Sequence, residues 1–173
     1  RFNIAPQSQV VIQTDASDYA WAHWGIPLRR SGGGRFVTNA RFETLDAKPL
    51  FHDLARCALF ADGWYEWQRV GSKKQPWYHH RGGDLFYVAG VNQPGVGCVV
   101  VTQGATEPLA KIHHRQPVLL DDQHLDSWLN GAQSCEELPV LEVSFHPVST
   151  RVGNTRHDDR ELIVPVDVEE PAV

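Results

Sequence analysis

The chain has 173 residues, of which 42% are hydrophobic and 21% charged, with a formal net charge of −5 and a pI near 6.0. That length fits one globular domain with a real core, and the ordinary composition excludes collagen, coiled coil and wholesale disorder. No run approaches the ~18 apolar residues of a membrane span and no basic-then-apolar signal opens the chain, so no membrane partner is expected; three cysteines, odd in number and widely spaced, point to a reducing, cytoplasmic setting.

In chain order, Val10-Val11-Ile12 predicts a short strand after the bend at Ala5-Pro6. Ser31-Gly32-Gly33-Gly34 predicts a loop, having no side chains with which to pack. Between Pro49 and Arg56 the apolar positions Leu50, Phe51, Leu54 and Ala55 follow the pattern of a short amphipathic helix with proline in its first turn. Cys57 to Trp67 reads as a strand bent at Asp62-Gly63. Further strands are expected at Trp77–His80, Leu85–Val91 and Cys98–Thr102, separated by Gly/Pro turns. Glu107 to Ile112 predicts one helical turn, Asp122 to Leu129 a second amphipathic helix, and Leu141 to His146 a half-buried strand. With no repeat and no linker, the expectation is a single antiparallel-rich α+β domain over residues 1–166. Residues 167–173 read as an acidic tail.

Charge is segregated along the chain. Between Trp24 and Pro117 there are twelve Lys/Arg and seven Asp/Glu, a local net of +5 inside an acidic whole. Arg29 to Arg41 holds four arginines and no acid; Gln68 to Gly83 holds four basic residues and no acid. Such a face holds phosphates, although a solvated surface would look the same. Trp64, Trp67, Trp77 and Tyr78 lie among Arg69, Lys73 and Lys74, and rings interleaved with cations suit the bases and backbone of a single strand.

Three segments carry candidate chemistry. In Asp62-Gly63-Trp64-Tyr65-Glu66-Trp67, Glu66 shares a strand face with Trp64. A carboxylate flanked by rings is partly desolvated, which raises its pKa toward the range useful for proton transfer; an edge-strand glutamate pointing to water is the plain alternative. In Ile112-His113-His114-Arg115, an imidazole beside a guanidinium suits acid/base work near an anion. Adjacent histidines rarely chelate one ion, and neither this pair nor His79-His80 has metal-ligand spacing, so no metal is expected. In Thr38-Asn39-Ala40-Arg41, Asn39 and Arg41 share a strand face, so an amide and a guanidinium can bind a polar group and its phosphate together.

The runs RFNIAP (from Arg1), WGIP (Trp24), TNARFET (Thr38), ADGWYEW (Ala61), KKQPWY (Lys73), VVVTQGA (Val99), IHHRQPV (Ile112) and HPVSTRVGN (His146) occur in an order that resembles the SOS response-associated peptidase family, the abasic-site processing proteins. The resemblance runs from Arg1 to about Val166. It implies an antiparallel, barrel-like β core with short flanking helices, in a monomeric protein that needs no cofactor and binds single-stranded DNA containing abasic sites. It also implies a bond to the ring-opened sugar, closed as a thiazolidine by the thiol and α-amine of an N-terminal cysteine. By motif, Asn39, Glu66 and His113 would carry the chemistry, and Arg41, Trp67, Thr102 and Arg115 would contact DNA. The alternatives are a binding module without chemistry, or a peptidase limited to its own processing.

Two features depart from that pattern. The family places a cysteine start and further residues ahead of the RFNIAP motif, whereas Cys57, Cys98 and Cys135 are internal, with acylated nitrogens that cannot close a thiazolidine. Their odd number and wide spacing also argue against a disulfide framework. Methionine is absent, and Arg1 is too large to follow a routinely removed initiator, which predicts a fragment or a processed product.

Overall fold

The computed structural model describes residues 1–28, 34–131 and 140–168. Thirteen strands and one α-helix form among them: β1 (Gln9–Gln13), β2 (Tyr19–His23), β3 (Ile26–Pro27), β4 (Phe36–Val37), β5 (Asn39–Arg41), β6 (Ala55–Ala61), β7 (Gly63–Val70), β8 (Lys73–His80), β9 (Phe86–Gln93), β10 (Gly97–Gly104), β11 (Arg115–Pro117), β12 (Leu119–Leu120), α1 (Asp122–Leu129) and β13 (Ser144–Pro147). Short 3-10 turns cover Phe42–Thr44, Leu109–Lys111, Thr150–Gly153 and Arg160–Ile163. The expected single α+β domain therefore forms around an antiparallel-rich β core.

The larger sheet runs β11-β10-β9-β6-β1-β2, with β12 also pairing β9 and β5 joining β10 in parallel. Its outer strands β11 and β2 do not pair, so the barrel is a loose likeness and the sheet stays open. A second sheet, β13-β8-β7, is built on the β7–β8 hairpin. Leaving β6 for β7, the chain changes sheets at Asp62-Gly63, where the sequence predicted a bend. A Cβ at Gly63 would lie 2.4 Å from the Tyr78 ring, so only glycine lets the backbone pass that close.

Helix α1 begins where Asp121 accepts the His124 backbone N–H, an N-cap that satisfies one of the orphan donors of the first turn. The helix seats the fully buried Trp128 against the main sheet, and its indole N–H donates to the Cys57 carbonyl at 2.7 Å. Around it lie Ala58, Ala89, Val99, Val101 and Leu120, small or branched side chains that let helix and sheet close together.

The helix expected at Pro49–Arg56 does not form. Residues 49–53 make successive turns, with Phe51 N–H donating to Lys48 O and Leu54 N–H to Phe51 O, and Ala55 and Arg56 already belong to β6. Eight residues are too few to meet the cost of helix nucleation unless a whole face is buried; here Phe51 anchors in the core while Leu50 stays exposed. Asp122–Leu129 and the turn near Leu109 appear as expected. The C-terminal strand is shorter than expected, starting only at Ser144. The loop and basic run at Arg29 and Arg30, Cys135 and the last five residues of the tail lie outside the described residues.

Candidate functional site

Strand β7 is the edge of the smaller sheet, and beside it sits the 3-10 turn that leads into His113. Between them opens a cleft of about 470 Å³. Glu66, Trp67, Arg69 and Lys74 line the wall formed by the hairpin, and Ile112, His113 and His114 line the other. Because an edge strand has one side free, side chains from both of its faces reach the same cleft. Glu66 stays half-buried, whereas the Trp67 ring is 40% exposed.

Glu66 Oε2 lies 3.5 Å from His113 Nδ1, with both side chains largely shielded from solvent. Burial pushes the Glu66 carboxyl above the usual carboxylate range, and the facing imidazole opposes that shift only in part. The same Nδ1 lies 3.0 Å from the Arg115 carbonyl, to which Nδ1–H donates when that nitrogen carries the proton. When Nδ1 carries no proton, the Arg115 backbone N–H, 3.3 Å away, donates to it instead, so the nitrogen facing Glu66 is supported in either state. A carboxyl raised by burial and set beside an imidazole makes a pair between which a proton can pass.

One residue absent from the sequence expectations holds this pair together. Gln68 Nε2 donates to the Lys111 carbonyl at 3.0 Å, while its Oε1 accepts from the Trp77 indole at 3.1 Å. Trp77 is the cross-strand partner of Glu66. Gln68 thus ties the strand carrying Glu66 to the turn carrying His113. Nothing local in the sequence points to it, since its partners lie 9 and 43 residues away.

A second cluster sits at the end of β10. Arg41 pairs in register with Thr102, and Asn39 with Val100; Asn39 and Arg41 both point outward, flanking the buried Ala40, as their shared face predicted. Arg115 grips Glu43 with two hydrogen bonds, Nη1 to Oε1 at 2.7 Å and Nη2 to Oε2 at 2.9 Å, and Nη2 also donates to the Thr102 carbonyl at 2.6 Å. This fork holds the Glu43 carboxyl down at about 2. The Arg115 charge is therefore largely balanced, whereas Arg41 forms no ion pair with a described residue. Glu43 was also missed from the sequence, being 72 residues from its partner.

The structure thus brings Glu66, Trp67 and His113 into one cleft and places Asn39, Arg41, Thr102 and Arg115 together on β5, β10 and β11. The link between the groups is the backbone of Arg115, which meets the His113 ring. Cys57 and Cys98 are fully buried, and burial pushes both thiols up, Cys98 to about 12. His79 is buried between Trp64 and Phe145 and pushed down to about 4, so it packs as a neutral ring. Among the described residues, no group of three or more His, Cys, Asp or Glu could hold a metal ion, and no helix is long and apolar enough to cross a membrane.

Residues 1–155 match the profile of the SOS response associated peptidase (SRAP) family. The chain belongs to that family. It is 31% identical to the abasic site processing protein YedK of Escherichia coli, over 96% of this chain and 85% of that protein. It is also 31% identical to the abasic site processing protein HMCES of Gallus gallus, over 78% of this chain but only 52% of the longer protein. A crystal structure of a Bacteroides thetaiotaomicron protein has the same fold as this chain, with a TM-score of 0.74 at 20% identity, covering 92% of this chain and 82% of that one. A phage-related protein from Bordetella bronchiseptica superposes with a TM-score of 0.68 at 26% identity, over 86% of this chain and 81% of its own.

Proposed function

We propose that this SRAP chain processes abasic sites in DNA, binding the damaged sugar of a single strand in the cleft of Glu66 and His113. The observation that carries the reading is the pair itself, a raised carboxyl 3.5 Å from an imidazole, in a cleft also lined by an exposed tryptophan and by cations that form no ion pair with a described residue. Trp67 offers a face on which an unstacked base can lie. Arg41, with Thr102 beside it, offers a contact to backbone phosphate, and Arg115 adds a smaller one because Glu43 already balances it. Asn39, on the same outward face as Arg41, holds the opened sugar by its amide.

The chemistry divides between proton movement and bond formation. An abasic sugar is closed for most of its lifetime, and opening to the aldehyde needs a proton removed from the ring hydroxyl and one delivered to the ring oxygen. His113 and Glu66 supply that exchange. With a cysteine at the N-terminus, the α-amine then adds to the aldehyde and water leaves, giving an imine. The thiol next adds across the C=N bond, sulfur bonding to carbon while its proton goes to nitrogen, and the thiazolidine closes. Cys57 and Cys98 cannot serve in its place, since both are buried with raised thiols and acylated nitrogens.

The test is the affinity of the chain for a fluorescent single-stranded oligonucleotide containing a tetrahydrofuran abasic analogue, against the same lesion in a duplex. Single strand should bind more tightly, with a salt slope that Arg41→Ala lowers by about 0.7, one single-strand phosphate. A duplex bound equally well, with no salt slope, would overturn the reading.

A further inference from the structure

We infer that the hairpin end of the cleft is a separate phosphate subsite, formed by Arg69 and Lys74, that holds the backbone on one side of the damaged nucleotide. The inference rests on the cleft taking a single strand. Arg69 and Lys74 lie directly opposite one another across the β7–β8 pair, and both line the cleft. Like charges placed opposite on a strand pair repel. Neither side chain forms an ion pair with a described residue, in contrast to Arg115 with Glu43. Lys73 adds a third cation at the same end of the hairpin. The acid lining the cleft is Glu66, which faces His113 at 3.5 Å, so neither Arg69 nor Lys74 has it as an ion-pair partner. An uncompensated positive pair at the open mouth of a cleft is a site for an anion.

Spacing identifies the kind of anion. Trp67 and Arg69 share a strand face, and positions two apart on a strand are separated by about 6.8 Å. An extended nucleic-acid backbone advances by a similar distance from one phosphate to the next. A base resting on the 40%-exposed Trp67 ring therefore directs a neighbouring phosphate toward Arg69 and Lys74. Arg41 lies in the other cluster, on β5 beside β10, so the two sets of cations serve opposite flanks of the lesion. The ligand class is a single-stranded polynucleotide that continues past the damaged sugar toward the hairpin.

The test uses the double variant Arg69→Gln/Lys74→Gln, whose exposed positions leave the fold intact by circular dichroism. Affinities are measured over a range of salt for single strands carrying the tetrahydrofuran analogue at the centre, at the 5′ end or at the 3′ end. For the central lesion, the log–log salt slope should fall by about 1.4, two phosphates at roughly 0.7 each. The loss should persist for one end-placed lesion and vanish for the other, where no backbone reaches the hairpin. An unchanged slope and affinity in the variant, with the wild-type chain binding normally, overturns the subsite alone. A wild-type chain that binds none of the three strands overturns the functional reading on which it rests.

Discussion

Two glutamates, each facing a basic partner, end in opposite states. Glu43 meets Arg115 through a two-pronged contact at 2.7 and 2.9 Å and is held at about 2. Glu66 meets His113 at 3.5 Å and is pushed above its ordinary 4.5. Burial and partner chemistry decide the difference. The Glu43 side chain is half exposed, so little desolvation opposes a permanent, planar cation that matches its two oxygens. Glu66 is the more buried of the two, and its partner is a ring that can give its own charge away. The first pair is a brace and the second is, in the function proposed, a proton relay; they are joined through the backbone of Arg115.

The sharpest way to break the comparison is to neutralise each carboxylate in turn. In a protein carrying an N-terminal cysteine, Glu66→Gln should slow single-turnover cross-linking to an abasic single strand by about 100-fold, the scale of a lost general acid/base. Its melting temperature at pH 7 should not fall. A group whose folded pKa lies above its unfolded value disfavours folding at high pH, and glutamine removes that cost. A lowered stability with an unchanged rate would make Glu66 the brace instead.

Gln68 sharpens the same contrast from outside the pair. Removing its bridge with Gln68→Ala should lower the cross-linking rate by about tenfold, because small misplacements of acid/base groups weigh heavily on rate. The pH at which the rate is half-maximal should move as well, since the Glu66–His113 separation sets how far the imidazole opposes the carboxyl's upward shift. Gln68→Asn, too short to span both partners, should resemble alanine, while Gln68→Glu should disturb the profile further by adding charge. A loss of stability with no movement in the pH profile would reduce Gln68 to packing.

What the sequence shows and hides follows from the range of the interactions involved. Glu66 was legible because it stands in a run of aromatic residues, Trp64 to Trp67, and such a run marks a segment that packs. Asn39 and Arg41 were legible because a strand's period of two fixes their common face. Helix α1 was legible from its apolar spacing over Asp122–Leu129. By contrast, Glu43 and Gln68 act through partners far along the chain, so no local pattern marks them. The failed helix at Pro49–Arg56 has the same origin: local spacing favoured it, but Phe51 inserting into the core from a turn met the packing need with fewer ordered residues.

The smallest effect belongs to the brace. A Glu43 carboxyl near 2 in the fold and 4.5 unfolded contributes stability that is present above pH 4.5 and lost as pH falls from 4.5 toward 2. Solvent screening of so exposed a pair limits that contribution to about 1 kcal/mol. Glu43→Gln should lower stability by no more than that at pH 7 and flatten the corresponding part of the acid unfolding curve. A variant as stable as the parent, with an unaltered acid curve, would show that the fork does not brace the fold.

A carboxyl-detected NMR titration of both glutamates in the same sample tests the central claim most directly. The account predicts a Glu66 midpoint above 4.5 that rises further in His113→Gln, and a Glu43 midpoint near 2 that the substitution leaves in place. A Glu66 midpoint at or below 4.5, indifferent to His113, would contradict the proton relay and leave the cleft without its chemistry.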